Sequence, residues 1–189
     1  MFALGNSATS WGSIAKLFHW IGALLILVLI GHGWWMTEFA PRADRFMHYS
    51  WHASIGYALL AMMILRLLWR WANAVPALPL NAAPWEKATA NFAHWGLYLL
   101  IFSASIAGWA LAGTLRRPLD ASLLGLMQVP NIVTSQERAV HQQLEGLHSF
   151  LAWSLAALVV IHIVGAIYQH YFKKTDILRR MLPGTTDAG

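Results

Sequence analysis

The sequence predicts an all-α integral membrane protein, a four-helix bundle with both termini in the cytoplasm, and three observations predict it. Of 189 residues, 58% are hydrophobic and 11% charged, too little polar surface to coat a soluble domain. Charges avoid four long stretches, 17–37, 46–65, 88–115 and 146–172, each about the length a helix needs to cross a hydrocarbon core with some tilt. The basic residues are divided unequally between the two sets of span ends. Lys16, Arg66, Arg70, Lys87, Lys173, Lys174, Arg179 and Arg180 lie on one side, and Arg42, Arg45, Arg116, Arg117 and Arg138 on the other. The richer side is the cytoplasmic one, because lysine and arginine near span ends resist translocation.

The elements follow in order within a single membrane domain, 1–189. The first fifteen residues are small and polar and read as an irregular cytoplasmic lead. Span one covers about 15–37 and ends at Trp34-Trp35, before Pro41 stops the helix. A signal peptide is the competing reading of this segment, but bulky Trp34, Trp35 and Met36 follow the apolar run in place of a small-residue cleavage site. Span two covers about 48–71, and the Pro-rich linker 75–84 returns along the cytoplasmic side. Span three covers about 89–114. Residues 115–145, broken by Pro118, Gly125 and Pro130, form the longest outer-face loop, expected as a short amphipathic helix or irregular cap. Span four covers about 146–172, and Pro183-Gly184 ends the structured chain.

Composition also excludes chemistry. With no cysteine there are no disulfides, iron–sulfur clusters, thiolate metal sites or covalent c-type haem attachment. The basic balance reflects topology and contact with anionic membrane lipid, not nucleic-acid binding, since no soluble basic module interleaved with aromatics is present. Most of the eleven Trp residues fall near span ends, as an interfacial belt does.

Nine histidines remain, and an ionisable group inside a membrane is a functional candidate because burial without a partner is costly. His148 and His162 are 14 residues apart in span four, which returns them to nearly one helix face about 21 Å apart along the axis. Depth sorts the others. His19 lies near the inner end of span one and pairs with His162; His52 lies just inside the outer end of span two and pairs with His148. Two imidazole pairs at two depths suit two b-type haems, each with both axial positions filled, an arrangement for passing single electrons. Gly22, Gly56, Gly108 and Gly165 offer close approach for a ring edge or for a neighbouring helix. His94 rivals His19 as the inner ligand, while His32, His48 and His141 read as surface or hydrogen-bonded residues. Arg66 follows His52 by the same 14 residues and suits a haem propionate or a plain positive-inside anchor.

The motifs Leu17-Phe18-His19-Trp20, Trp51-His52-Ala53-Ser54-Ile55-Gly56 with Leu65-Arg66-Leu67-Leu68-Trp69-Arg70, His94-Trp95-Gly96-Leu97-Tyr98, and Leu147-His148-Ser149-Phe150-Leu151-Ala152-Trp153 with His162 and Gln169-His170-Tyr171-Phe172 resemble the bacterial cytochrome b561 family over about 14–182. The resemblance implies a multi-pass di-haem protein of the bacterial inner membrane with His19, His52, His148 and His162 as axial iron ligands. It also implies an electron-carrying role: one branch of the family oxidises superoxide at the outer face and reduces ubiquinone, while other branches are electron-carrying subunits. Some members have two adjacent histidines where this chain has Gln169-His170.

The resulting expectation is electron transfer between an outer-face donor and ubiquinone through two haems b. Superoxide is the leading donor, and a periplasmic protein or a separate dehydrogenase is the alternative partner. A haem-free, histidine-rich transporter is the reading from another class. Reaction with ubiquinone is expected at the cytoplasmic end, where His170, with Gln169 beside it, can hydrogen-bond a quinone carbonyl and carry a proton.

Overall fold

The computed structural model of the protein describes residues 3–77 and 83–184. Four long helices dominate it: α1 (Ser13–Glu38), α2 (Arg45–Ala72), α3 (Pro84–Ala112) and α4 (Arg138–Tyr171). All four are long and apolar enough to cross a membrane. Between α3 and α4 lies a hairpin of two-residue strands, β1 (Ser122–Leu123) and β2 (Met127–Gln128), and a five-residue α5 (Ile177–Met181) follows α4. Most of the expected linker 75–84 falls on residues 78–82, outside the described residues.

The outward faces of the helices are apolar and exposed. Leu24, Leu65, Leu99, Val160 and Ile161 are among the large exposed side chains. In water that would be a liability, but in hydrocarbon it is the required surface. The interior is a thin apolar layer of Ile26, Leu29, Leu59, Met63, Tyr98, Ile101 and Leu155 at mid-height. α1 packs on α2, α2 on α3 and α3 on α4. α1 and α4 meet far less, so a gap separates the α1/α2 pair from α4 above and below the central layer.

Helix ends differ from the apolar runs for local physical reasons. α3 begins at Pro84, whose missing N–H and fixed φ suit the first helical position. The Glu86 carboxylate there accepts the Ala83 N–H at 2.8 Å. α4 begins two turns before the apolar stretch, at Arg138, because loss of hydrophobicity marks where a helix leaves the membrane, not where its hydrogen bonding stops. Residues 115–137 do form a cap, but it contains no helix: Leu124 (φ 54°) and Gly125 (φ 72°) turn a short hairpin. The hairpin is pinned to α2, since the N–H groups of Asp120 and Ser122 donate to Ser50 Oγ and Ser54 Oγ at 3.2 and 3.1 Å.

The N-terminal lead is irregular but tied down. Asn6 donates to the Ala74 carbonyl, and the Ala77 N–H to the Ala8 carbonyl. From α5, Arg180 donates to the carbonyls of Ala77 and Thr9. Trp20 of α1 donates to the Met181 carbonyl at 2.9 Å. Lead, linker stub and α5 therefore cover one end of the bundle, and the hairpin covers the other.

Candidate functional site

The gap beside α4 forms two cavities. At the hairpin end a space of about 530 Å³ is lined by His52 and His148 together with Gly56, Gly108, Tyr57 and Trp153. At the opposite end a space of about 410 Å³ is lined by His19, His94 and His162 with Arg66, Trp20 and Tyr98. Both lie within the size range of small-molecule and cofactor sites. Ile26 and Ile101 line both, so the cavities share a wall in the central apolar layer.

In the hairpin-end cavity the rings of His52 and His148 stand perpendicular, with centroids 6.2 Å apart. In the other, His19 and His162 stand 6.4 Å apart. A metal held by two imidazole nitrogens at about 2 Å each, with ring centres about 1 Å further out, sets the centroids about 6 Å apart. His148 donates its Nδ1–H to the Ala104 carbonyl at 2.9 Å. That bond leaves Nε2 as the lone-pair nitrogen and fixes the ring, as metal-ligating histidines are usually fixed. Spacing and space fit a haem between the two histidines of each cavity, and at His148 the donor set fits as it stands; at His19 the ring also has Arg66 on its Nδ1.

Two glycines make room for these rings. A Cβ at Gly108 would sit 2.9 Å from His148 Cε1, and one at Gly33 would sit 3.2 Å from His52 Cε1. Gly22 backs onto Met62, at 3.1 Å from its Cβ position, and is a packing glycine. Nothing lies within 4 Å of a Cβ at Gly56 or Gly165, and of the two only Gly56 fronts a cavity. Gly33 carries no sequence signal of its role, because the contact is with another helix.

The remaining histidines separate by environment. His32 Nε2 and His48 Nδ1 are 3.3 Å apart, and His32 also stacks on His52, so these two residues back the His52 ring. His141 lies 2.7 Å from the Thr114 hydroxyl. His94 shares the second cavity and comes within 5.4 Å of His162, ring centre to ring centre, which keeps it beside His19 as a neighbour of the same space. Arg66 reaches His19 directly: its Nη2 donates to Nδ1 at 3.2 Å, and the guanidinium lies 5.6 Å from the Tyr98 ring centre.

At the C-terminal end of α4 the two candidate residues part. The Gln169 amide points to Glu86 Oε1 at 3.4 Å, and Lys173 pairs with the same carboxylate at 3.0 Å. This cluster ties the start of α3 to the end of α4. His170 Nδ1 is buried and has no hydrogen-bond partner among the described residues, and the ring packs edge-on against Tyr171.

The family model described as prokaryotic cytochrome b561 matches residues 10–184. Cytochrome b561 homolog 2 of Escherichia coli (strain K12) is 31% identical over 180 residues, covering 94% of this chain and 93% of that one. A protein of Yersinia pestis named probable superoxide oxidase CybB is 28% identical over 171 residues, covering 87% of this chain and 91% of its own. The chain therefore belongs to the prokaryotic cytochrome b561 family, b-type haem proteins that transfer electrons across the membrane, and with its four apolar helices it is a multi-pass protein of the bacterial inner membrane.

Proposed function

We propose that this chain is a di-haem cytochrome that carries electrons from a donor at its hairpin end, with superoxide the leading candidate, to ubiquinone at the opposite, cytoplasmic end. The observation that carries this reading is the two imidazole pairs, with ring centres 6.2 and 6.4 Å apart, each lining its own cavity. His52 and His148 would hold the haem iron in the outer cavity, and His19 and His162 that in the inner one. Haem iron with both axial positions filled supplies one-electron carriage and leaves no site for oxygen to bind. His148 holds its ring through Ala104, while His32 backs His52 from α1 and is itself met by His48 of α2. Arg66 supplies a cation for a propionate beside His19.

The net reaction balances without a covalent intermediate. Two superoxide ions each lose one electron and become dioxygen; one ubiquinone gains both electrons and two protons and becomes quinol. The acceptor end needs a group that can hydrogen-bond a quinone carbonyl and pass a proton. Of the two candidates there, His170 has the uncommitted nitrogen, whereas the Gln169 amide is turned to Glu86. Similarity to the Yersinia protein named a probable superoxide oxidase supports superoxide as the donor.

A second reading, an electron-carrying subunit for a separate dehydrogenase or periplasmic protein, is favoured by the exposed apolar hairpin tip of Leu124, Leu126 and Met127. Stopped-flow mixing of the purified, oxidised protein with superoxide separates the two. Rapid appearance of reduced b-type absorption, discharged by a ubiquinone analogue, is the expected result. Inertness toward superoxide sinks the donor assignment and leaves the subunit reading.

A further inference from the structure

The two cavities differ sharply in charge. Three guanidinium groups, those of Arg66, Arg70 and Arg180, line the His19/His162 cavity, and among the described residues no Asp or Glu does. The His52/His148 cavity is lined by Glu38 and Glu145 and by no Lys or Arg. Three like charges around a half-buried space at a membrane boundary repel one another and are desolvated, so such an arrangement calls for an anionic guest.

The donors are also prepared for one. Arg180 is anchored through its terminal nitrogens to the backbone carbonyls of Ala77 and Thr9, yet its Nε is buried with no partner among the described residues. The indole N–H of Trp69, in the same lining, is likewise buried and unpartnered. Arg66 and Arg70 are held over the rings of Tyr98 and Trp95, at 5.6 and 5.7 Å, Arg66 also donates to His19 Nδ1, and among the described residues neither pairs with a carboxylate. Planar guanidinium groups match carboxylate geometry, and Arg180, with both terminal nitrogens on backbone carbonyls, has its Nε–H to offer.

We propose that Arg66, Arg70 and Arg180, with the Trp69 indole N–H, form the seat of the inner haem's two propionates, which makes the short C-terminal helix α5 part of a cofactor site. The inference rests on the di-haem reading above. It extends the role given to Arg66 to a constellation drawn from α2 and α5, and it assigns the hydrogen bonds of the N-terminal lead to Arg180 the task of presenting that guanidinium.

Haem release from the purified holoprotein to an excess of apomyoglobin tests it. The phase belonging to the inner haem is the one missing in His162→Ala. Removing one charge-assisted pair is worth about a factor of ten, so Arg180→Gln and Arg70→Gln are each expected to speed the inner phase about tenfold and leave the outer phase unchanged. Arg180→Lys, which keeps the charge and serves as a folding control, lies between. The same glutamine variants lower the midpoint potential of the inner haem alone, because a nearby positive charge favours the reduced state. If the wild type holds two haems and neither variant changes release or potential, the propionate seat is wrong while the di-haem reading stands. If instead the variants lose tightly bound phospholipid phosphate, the guanidinium groups serve a lipid headgroup and the proposal falls. A wild type that holds fewer than two haems overturns both.

Discussion

At the scale of single residues, the contrast between Gly108 and Gly165 isolates what a glycine beside a cavity histidine does. Both were candidates from sequence for the same reason, a missing side chain on an apolar helix. In three dimensions a methyl group at Gly108 falls 2.9 Å from His148 Cε1, while one at Gly165 meets nothing within 4 Å. Overpacking of this kind typically costs about 1–3 kcal/mol, and here the atom that must yield belongs to the His148 ring, the proposed ligand, held by the Ala104 carbonyl. Gly108→Ala is therefore expected to weaken haem binding in the outer cavity and to perturb its spectrum. Gly165→Ala should match the wild type in haem content, and equal behaviour of the two would refute the steric account. The histidine spacing was legible in the sequence because helix geometry is periodic along one chain. Gly33 was not, because its contact with His52 joins two helices whose relative placement no local pattern encodes.

At the scale of elements, the junction of α3 with the end of α4 depends on one buried carboxylate. Glu86 accepts from the Ala83 N–H, from Lys173 and from Gln169 at once, and it is only 8% exposed. Lys173 holds its proton more firmly than an ordinary lysine because Glu86 hydrogen-bonds and attracts it. Glu86→Gln and Lys173→Gln are each expected to lower thermal stability in detergent with both haems retained. The double variant should lose clearly less than the sum, since residues sharing one network are non-additive. Strict additivity, read from melting curves of the four proteins, would show that the pair is not coupled. Sequence alone suggested only that Pro84 sat in the linker. The proline is instead the first residue of α3, and the acid two positions on completes the start of that helix. The hairpin was harder to read, since its turn places Leu124 at positive φ, a conformation that a leucine gives no reason to expect.

At the scale of the whole molecule, charge governs access from outside. The outer-side arginines are matched in number by the acids Glu38, Asp44, Asp120, Glu137 and Glu145, so steering of a small anion depends on clustering rather than net charge. Arg116 and Arg117 are adjacent in the loop after α3, with Arg117 stacked over Phe46 at 4.2 Å. If superoxide is the donor, reduction of the protein should slow with added salt and in the Arg116→Gln/Arg117→Gln variant; a rate indifferent to both would point to a neutral or protein donor. The four-span architecture was fully legible, because hydrophobic length is a one-dimensional property. The incompleteness of the bundle was not.

That incompleteness has a consequence for stability. α1 and α4 meet little, and the space between the α1/α2 pair and α4 is taken up by cavities of about 530 and 410 Å³. α4 packs along α3 but has a single buried residue, Leu155, at the central layer, so above and below that layer its side toward α1 and α2 is held by few protein contacts. A ligand that binds only the folded chain stabilises it in proportion to the logarithm of its concentration over its dissociation constant, and here it also supplies the missing packing. The His52→Ala/His148→Ala and His19→Ala/His162→Ala proteins should each melt lower than the wild type, and the quadruple variant lowest. In the quadruple variant α4 should become the first helix cut by protease in detergent micelles. A quadruple variant as stable and as resistant as the wild type would mean that the helices close the gap by themselves, and that the cavities are not held open for cofactors.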